Sequence, residues 1–315
     1  MKFLIGTYTK NNSLGIYEAS IISDRLAKPE LFLTSSNPSY LDYYDRFIFS
    51  TYSDFKEGGL SIFKDNKLLV QSIDNGKGPS HISYAKNLKM VFTANYTRGE
   101  IRTYTFKKNV LNLHETILLG DNSHAHQIYY DHKLRRVIVC DLGLDTVFVY
   151  KVSLFKKLIL DYKFTLAVKS GPRHLVIHHD YHKFYIVAEL SNQIFVYDYK
   201  KHELLDPYST VADETKMGQQ AAAIRLFNND LYISNRGFEN SIVHFKADKN
   251  GLTLVNSYDT HGSHPRDFSI SNDGSYLVVG NLESNNICLF KRNEYGSLSF
   301  LDSIETPEPT AILFL

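Results

Sequence analysis

The sequence predicts an all-β chain that folds as a seven-bladed β-propeller, in which each blade is a four-stranded antiparallel sheet. Two repeating markers and the character of the two chain ends support this prediction. Long stretches of helical periodicity, which an alternating β/α fold would need, are missing from the pattern. We therefore expect residues 1–315 to form a single domain.

The first marker is a short β-rich run that ends in a small or polar residue. Successive run ends lie 43 to 48 residues apart. A period of about 40–50 residues with several strands per repeat is typical of propeller blades. The seven run ends are Thr7, Tyr52, Asn95, Asp141, Glu189, Asn235 and Asn281.

The second marker is an aromatic residue that ends another β-rich run, at a steady distance after the first. Turn-forming sequences such as Lys249-Asn250-Gly251 separate the runs. The seven aromatic residues are Tyr17, Phe63, Tyr104, Tyr150, Tyr197, Phe245 and Phe290. Both markers therefore indicate seven repeats.

The two ends of the chain predict how the ring closes. The chain opens with a run, Lys2–Thr7, that matches the second strand of a blade, and 310–315 matches a first strand. Pairing the two would remove two exposed strand edges. We expect one shared blade with strands at 310–315, 2–8, 14–21 and 30–34, so that the C-terminal strand closes the ring against the N-terminal blade.

Composition argues against several classes of partner. The formal net charge is +1 and the pI is about 7.8, so neither nucleic acid nor an anionic membrane is expected. No apolar run approaches the ~20 residues of a transmembrane helix, and the opening segment is too short for a signal peptide. We expect a cytoplasmic monomer or weak homodimer. Cys140 and Cys288 each lie in an apolar run and are expected to be buried, reduced thiols.

Antiparallel pairing predicts which polar residues share one face. If the strands of a blade are named A to D from the channel outwards, the start of A and the end of B lie together. Histidines, arginines and carboxylates converge there, so we expect a small ligand to bind at that face. The starts of A are Pro38-Ser39, Pro79-Ser80-His81, His124-Ala125-His126, Pro172-Arg173-His174, Gln219-Gln220, Pro265-Arg266-Asp267 and Pro309-Thr310.

The polar residues of this face fall into two groups. Equivalent positions in repeats commonly bond backbone groups, and this structural role is favoured for Ser39, Ser80, Asn95 and Asn281. Several guanidiniums near one axis, by contrast, repel one another unless solvent or an anion matches their charge. A functional role is favoured for Arg173, Arg236, Arg266, His126 and Glu189.

Other kinds of chemistry find little support. The histidine-rich segment His178-His179-Asp180-Tyr181-His182 falls in an A–B turn at the opposite face, where histidines are commonly solvated. Because no matched ligand spacing accompanies it, no metal site is predicted. Neither a Gly-x-Ser-x-Gly elbow nor a phosphate-cradling glycine loop is present, so covalent serine chemistry and nucleotide chemistry are not expected.

The ordered motifs resemble the bacterial 6-phosphogluconolactonase family of seven-bladed propellers, which also contains fungal carboxymuconate-lactonising enzymes. The resemblance covers essentially the whole chain and is specific to the family rather than to one substrate. Its clearest pieces are Gly78-Pro79-Ser80-His81, Thr93-Ala94-Asn95-Tyr96, Ser123-His124-Ala125-His126, Gly171-Pro172-Arg173-His174-Leu175, Val187-Ala188-Glu189-Leu190, Ser234-Asn235-Arg236-Gly237 and His264-Pro265-Arg266-Asp267-Phe268.

The resemblance implies a lactone-acting site that needs neither metal nor cofactor. It implies catalytic roles for His126, Arg173, Glu189 and Arg236, with Arg266 as the competing match for the last position. Two departures concern the substrate more than the fold. They are Ala223, where a glutamate is expected after paired alanines, and Ala125, where the family has proline.

The implied activity is hydrolysis of 6-phosphoglucono-δ-lactone to 6-phosphogluconate, a reaction of the pentose phosphate pathway. Glu189 or His126 would act as general base and Arg173 would stabilise the oxyanion, while Arg236 and Arg266 would hold the phosphate. Further substrate-binding candidates are His81, His124, His174, Asn95, Asp141, Asn235 and Asn281. The alternatives are another lactone hydrolase or cycloisomerase on this scaffold, or a non-catalytic protein-binding propeller, which the absence of tryptophan disfavours.

Overall fold

The computed structural model describes residues 1–212, 218 and 220–315. Over these residues the chain forms 29 β-strands and no α-helix, and the strands pair into seven sheets. The all-β class and the seven blades are therefore confirmed. The strand start expected at Gln219 lies outside the described residues, whereas Gln220 opens a strand as expected. Across the described ranges, no helix is long and apolar enough to span a membrane.

The strands follow one another blade by blade. Blade 1 begins with β1 (Lys2–Thr7), β2 (Gly15–Ile22), β3 (Arg25–Leu26) and β4 (Glu30–Thr34). Blade 2 contains β5 (Leu41–Tyr44), β6 (Phe47–Ser53), β7 (Glu57–Lys64) and β8 (Lys67–Asn75). Blade 3 contains β9 (His81–Ala85), β10 (Met90–Asn95), β11 (Glu100–Lys107) and β12 (Val110–Leu118). Blade 4 contains β13 (Ala125–Asp131), β14 (Arg136–Asp141), β15 (Thr146–Val152) and β16 (Leu158–Thr165).

The later blades repeat the same order. Blade 5 contains β17 (Pro172–His178), β18 (Lys183–Ala188), β19 (Gln193–Asp198) and β20 (Glu203–Ser209). Blade 6 contains β21 (Gln220–Phe227), β22 (Asp230–Arg236), β23 (Ser241–Ala247) and β24 (Leu252–Asp259). Blade 7 contains β25 (Pro265–Ile270), β26 (Tyr276–Asn281), β27 (Asn286–Arg292) and β28 (Leu298–Glu305). The final strand, β29 (Pro309–Phe314), belongs to blade 1.

Contacts divide the chain into two compact units. Unit I comprises Met1–Ile5, Tyr17–Glu30 and Arg173–Leu315, and unit II comprises Gly6–Ile16 and Leu31–Pro172. Blades 5, 6 and 7 and most of blade 1 belong to unit I, whereas blades 2, 3 and 4 belong to unit II. The single-domain expectation stays a prediction.

Within unit I, the C-terminal strand joins the N-terminal blade as predicted. Strand β29 pairs with β1, the Leu315 N–H donates to the carbonyl oxygen of Lys2 at 3.2 Å, and the rings of Phe3 and Phe314 lie 5.4 Å apart. The outer part of this blade differs from the prediction, because the short strand β3 forms a hairpin with β2 before β4 begins.

The hydrophobic core lies between neighbouring blades of the same unit. In unit I, Tyr232 of blade 6 packs with Phe268 and Cys288 of blade 7, and in unit II, Phe92 of blade 3 packs with Ile128 of blade 4. The second strand of each blade is covered on both faces, which explains its continuous apolar sequence. Burial of each large apolar side chain contributes about 1.5–3 kcal/mol.

The repeated aromatic residue lies on the third strand of its blade. In five blades it sits where the register between the third and fourth strands shifts, at Phe63, Tyr104, Tyr150, Phe245 and Phe290. All five side chains are buried. A β-bulge bends its strand and increases the twist, so the sequence marker coincides with a geometric feature of the blade.

An asparagine or aspartate before the third strand connects several blades. In unit I, Asn240 has a left-handed φ of 44°, its carbonyl accepts the Thr260 N–H at 3.0 Å, and its Oδ1 accepts the His264 N–H at 2.8 Å. Asn192 and Asn285 bond in the same way in unit I, as Asp145 does in unit II. This side chain therefore fixes the segment that leads into the first strand of the following blade.

Both cysteines are buried and unpaired, as predicted. Burial raises the pKa of the Cys288 thiol to about 11 and raises the pKa of the Cys140 thiol further. Neither sulfur is therefore a thiolate near neutral pH.

The histidine-rich turn differs from the prediction. His178 is buried rather than solvated, its ring stacks on Tyr181 with centroids 3.9 Å apart, and its Nε2 lies 3.0 Å from Asn229 Oδ1. The ring is packed because the Tyr181 side chain folds back over the turn. No cluster of three or more potential metal ligands occurs in the part of the chain that the structure describes.

Candidate functional site

Two arginines and one glutamate meet in unit I. Glu189 Oε2 lies 2.9 Å from Arg173 Nε and 3.0 Å from Arg236 Nη2. Arg173 stands near the start of β17, Glu189 follows the end of β18, and Arg236 ends β22. The structure therefore brings together three of the four residues to which the sequence assigned a catalytic role.

Backbone carbonyls of blade 6 hold both guanidiniums in place. Arg173 Nη1 donates to the carbonyl of Ala222 at 2.6 Å, and Arg236 Nη2 donates to that of Ala221 at 3.3 Å. Ala221 pairs with Asn235 and Ile224 with Ile233, so Ala222 and Ala223 form a bulge opposite a single residue. Bulges redirect local groups and are common beside active sites. The alanine segment that departs from the family pattern therefore contributes backbone oxygens to the site.

Arg173 lies in a strongly charged and dry environment. Its side chain is only 3% exposed. Burial and the positive charges of Arg236 and Arg266 lower its pKa to about 9, against the opposing effects of Glu189 and Asp267. Positive charge therefore accumulates here, and an anion would relieve it.

Arg266 is the extra residue of a second bulge. Pro265 pairs with Asn281 and Asp267 with Gly280, so the register shifts at Arg266, which lies between them. The neighbouring Asp267 is buried, accepts a hydrogen bond from Arg225 Nη2 at 2.6 Å, and accepts the Ile312 N–H at 3.1 Å. Asp267 on β25 thus bonds to side-chain and backbone groups of β21 and β29, while the bulge turns Arg266 away from the regular strand pattern.

The sequence reasoning missed a histidine–glutamate pair beside these arginines. His264 Nδ1 lies 3.1 Å from Glu283 Oε1. Burial lowers the pKa of His264 to about 4, with further lowering by Arg236, Arg266 and Arg173 and an opposing effect of Glu283. The His-Pro-Arg motif pointed to this place, but Glu283 lies in a turn that carried no marker.

The remaining unit I candidates mainly contact neighbouring protein groups. His174 Nδ1 lies 3.4 Å from Arg173 Nη1. Asn235 Nδ2 donates to the Thr210 carbonyl at 2.5 Å, and Asn281 Nδ2 donates to the Thr260 carbonyl at 3.1 Å. The two asparagines therefore tie loops together, and a substrate contact for any of the three stays a prediction.

Unit II holds the predicted catalytic histidine. His126 is buried and is the extra residue of a bulge, because Ala125 pairs with Asp141 and Gln127 with Cys140. Tyr96 stacks on His124 with centroids 4.3 Å apart, and the His126 ring meets Tyr96 edge-on at 6.1 Å. An aromatic and imidazole cluster thus surrounds this position.

Other unit II candidates support the loops. Asp141 Oδ1 accepts backbone N–H groups from His124, Gly143 and Leu144 at 2.8–3.1 Å. Asn95 Nδ2 donates to the Lys77 carbonyl at 2.8 Å. The His81 ring lies 4.0 Å from the Tyr40 ring. These side chains have structural partners, and their substrate-binding roles stay predictions.

A polar cleft in unit II has balanced charges. Together with the open solvent at its mouth it encloses about 210 Å³, and its lining includes Asp74, Arg98, Glu100 and Arg102. Asp74 pairs with both arginines, at 2.8 Å and 2.9 Å, and Glu100 Oε1 lies 2.9 Å from Arg102 Nε. This compensated network contrasts with the excess of positive charge around Arg173.

Comparison with known proteins gives consistent matches over the full length. A family model described as "Lactonase, 7-bladed beta-propeller" matches residues 2–314. A Bacillus subtilis protein named 6-phosphogluconolactonase is 27% identical, over 99% of this chain and 97% of its own length. A Lactobacillus plantarum crystal structure is 30% identical, with a TM-score of 0.94 over 100% of this chain and 99% of the other.

A more distant solved structure agrees in fold. The periplasmic gluconolactonase PpgL of Pseudomonas aeruginosa is 24% identical, with a TM-score of 0.88 over 100% of this chain and 98% of the other. At this identity the match concerns the arrangement of the blades alone.

Proposed function

The chain belongs to the seven-bladed β-propeller lactonases, which are lactone-hydrolysing enzymes, and on this basis we propose that its substrate is 6-phosphoglucono-δ-lactone. The product would be 6-phosphogluconate, which is formed by adding water across the ring ester. Because sugar phosphates are retained within the cell, we propose the cytoplasm as the site of action, with the pentose phosphate pathway as its setting.

One observation carries the choice of a phosphorylated substrate. Arg173 is buried beside Arg236, the charge of Arg266 also acts on it, and Glu189 compensates only in part. A phosphate accepts bidentate hydrogen bonds from guanidinium groups, and its charge would lower the repulsion among them. The electrostatics of this group therefore support an anionic ligand.

The proposed roles follow the position of each group. Arg173, held by Ala222 and Glu189, would stabilise the oxyanion that develops when water attacks the lactone carbonyl. Arg236 and Arg266 would bind the phosphate. Glu189 accepts both ion pairs at Oε2, so we propose that it orients the guanidiniums. The catalytic role proposed for His126 rests on the family resemblance.

The deciding experiment is hydrolysis of freshly prepared 6-phosphoglucono-δ-lactone. Product would be followed with 6-phosphogluconate dehydrogenase, after correction for spontaneous ring opening and in the presence of EDTA. Unphosphorylated glucono-δ-lactone, followed by acid release, is the matched control. A much larger kcat/KM for the phosphorylated lactone is expected, and equal values for the two would reject the phosphate-binding proposal.

A further inference from the structure

We propose that His264 is a catalytic base of lactone opening and that Glu283 is its positioning residue. This inference rests on the proposed function, because it assigns a step of the same reaction. His264 immediately precedes β25, and Glu283 lies in the turn after β26 of the same blade.

The backbone around His264 is held in a defined conformation. Its φ is +62°, in the left-handed region, and Asn37, Gly171 and Glu308 share this sign of φ before the prolines of other blades. The turn itself can be made by glycine, which reaches this region without steric cost. The turn therefore does not itself require histidine.

Three further contacts fix the segment and its partner. The His264 N–H donates to Asn240 Oδ1 at 2.8 Å, and its carbonyl accepts the Leu282 N–H at 3.0 Å. Ser263 Oγ donates to Glu283 Oε2 at 3.1 Å, which leaves Oε1 for the imidazole. The segment before β25 and the turn after β26 thus orient the ring and the carboxylate.

The position of Glu283 favours one tautomer of the imidazole. A carboxylate can only accept a proton, so the 3.1 Å approach of Nδ1 to Glu283 Oε1 favours the form in which Nδ1 carries the proton and Nε2 carries the lone pair. Nε2 is shielded from solvent, and no hydrogen-bond partner for it occurs among the residues that the structure describes. A ring oriented by a second group can activate a nucleophile through its other nitrogen, so Nε2 can take a proton from water once the groups that cover it move aside.

The charges that face His264 make its basicity depend on the ligand. Arg236, Arg266 and Arg173 lower its pKa, Glu283 raises it, and burial contributes the largest lowering, to about 4. An anion bound to the arginines would weaken their effect and raise the pKa towards the working pH, where a general base is most effective. Binding of an anionic substrate would thus raise the pKa of His264 and make it a more effective base.

Glu189 is less suited to this step. Its Oε2 pairs with both Arg173 and Arg236, so protonation there would give up both ion pairs. The His264 imidazole gives up no protein contact when Nε2 takes a proton, and the resulting imidazolium keeps Glu283 as its counter-ion.

In the proposed step, water adds to the lactone carbonyl and the ring ester then opens. Water oxygen bonds to the lactone carbonyl carbon while one water proton moves to His264 Nε2 and the carbonyl π-electrons move to its oxygen. The tetrahedral intermediate then breaks the ring carbon–oxygen bond, and the departing oxygen takes the proton from Nε2. The products are one carboxyl group, which ionises, and one hydroxyl group.

The test compares His264→Gln and Glu283→Gln with the control His261→Gln, an exposed histidine three residues upstream. General-base removal commonly costs about 10²–10⁴-fold in rate. We expect His264→Gln to lower kcat on 6-phosphoglucono-δ-lactone about a hundredfold or more with KM changed less than about threefold. Glu283→Gln should lower kcat about tenfold, and His261→Gln should leave both constants unchanged.

A pH profile separates proton transfer from support of the fold. In the wild type, kcat/KM should fall as the pH is lowered through the pKa of His264 in the free enzyme. This decrease at acid pH should be absent in His264→Gln. If His264→Gln does not fold, Glu283→Gln carries the test, because the Glu283 side chain is 63% exposed.

The kinetic results distinguish failure of the His264 proposal from failure of the proposed function. Wild-type kcat in both variants, or a raised KM with unchanged kcat, would overturn the role of His264 while leaving the lactonase proposal intact. A wild-type enzyme inactive on both phosphorylated and plain gluconolactone would overturn the proposed function, and the base with it.

Discussion

The side chain of Arg173 on β17 donates a 2.6 Å hydrogen bond to the carbonyl oxygen of Ala222 on β21. A guanidinium of one blade is therefore anchored to the first strand of the next blade, at a bulge in that strand. The Nε of the same guanidinium lies 2.9 Å from Glu189. Only a planar fork of donors can serve both partners at once.

Arg173→Lys tests the need for that fork. Lysine keeps the charge but cannot reach Glu189 and the Ala222 carbonyl together, so kcat for lactone hydrolysis should fall about 10²–10³-fold, as when an oxyanion donor is lost. Steady-state kinetics checks this. The exposed Arg25→Lys is the control, and an Arg173→Lys enzyme with wild-type kcat would mean that charge alone is sufficient.

Glu189→Gln tests the role of the shared carboxylate. Removing one partner of a buried ion pair costs on the order of 3–5 kcal/mol, so the melting temperature should fall. Added 6-phosphogluconate should then raise it more than in the wild type, because an anion replaces the lost charge.

Thermal unfolding with and without 6-phosphogluconate measures both effects. Glu18→Gln, which breaks the surface pair with Lys2, is the matched control and should change neither. Equal ligand-induced shifts in Glu189→Gln and the wild type would argue against an anion site beside Arg173 and Arg236.

His264 predicts a pH dependence of stability. Its pKa is about 4 in the folded protein, below its ordinary value of 6.5, so the unfolded chain takes up the proton first on acidification. Its contribution to the free energy of unfolding is therefore complete above about pH 6.5 and is lost as the pH falls towards 4.

Denaturant unfolding of the wild type and His264→Gln at several pH values in this range measures the contribution. The free energy of unfolding of the wild type should decrease relative to that of His264→Gln as the pH falls. A difference that stays constant from pH 7.5 to pH 4.5 would contradict the lowered pKa.

Asn240 predicts a stability effect that separates conformation from hydrogen bonding. Asn240→Ala loses the acceptor for the His264 N–H and places alanine in the left-handed region, at a cost of about 1–3 kcal/mol. Asn240→Gly loses only the acceptor and should be less destabilised, by about 1 kcal/mol. Denaturant midpoints provide the comparison, and equal losses would mean that backbone conformation contributes nothing.

The repeat predicted the blades because it reflects packing that recurs. The aromatic marker is fixed by burial at the bulge of the third strand, as at Tyr104 and Phe290, so the pattern is visible in the sequence. The position of Asn240 also repeats in the sequence, since asparagine or aspartate precedes the third strand in several blades. Its role depends on a hydrogen bond to the segment before the next blade, which cannot be predicted from residue types alone.

The site was predictable where strand ends determine it. Because the first and second strands of a blade are antiparallel, Arg173 and Glu189 were expected at the same end of the blade, and the structure shows an ion pair between them. The Ala222 carbonyl and Glu283 were missed, because a bulge and a turn determine them. Packing likewise decides whether a turn histidine such as His178 is solvated or buried.

The pairing of β1 with β29 has a consequence for synthesis on the ribosome. The N-terminal strand of the sequence obtains this partner only when the C-terminal strand has emerged, so β1 keeps an open edge while the chain grows. At about 5–20 residues per second, 315 residues take roughly 15–60 s. This pairing joins strands that are far apart along the chain, so it forms slowly and leaves the edge of β1 exposed to mispairing with other nascent chains.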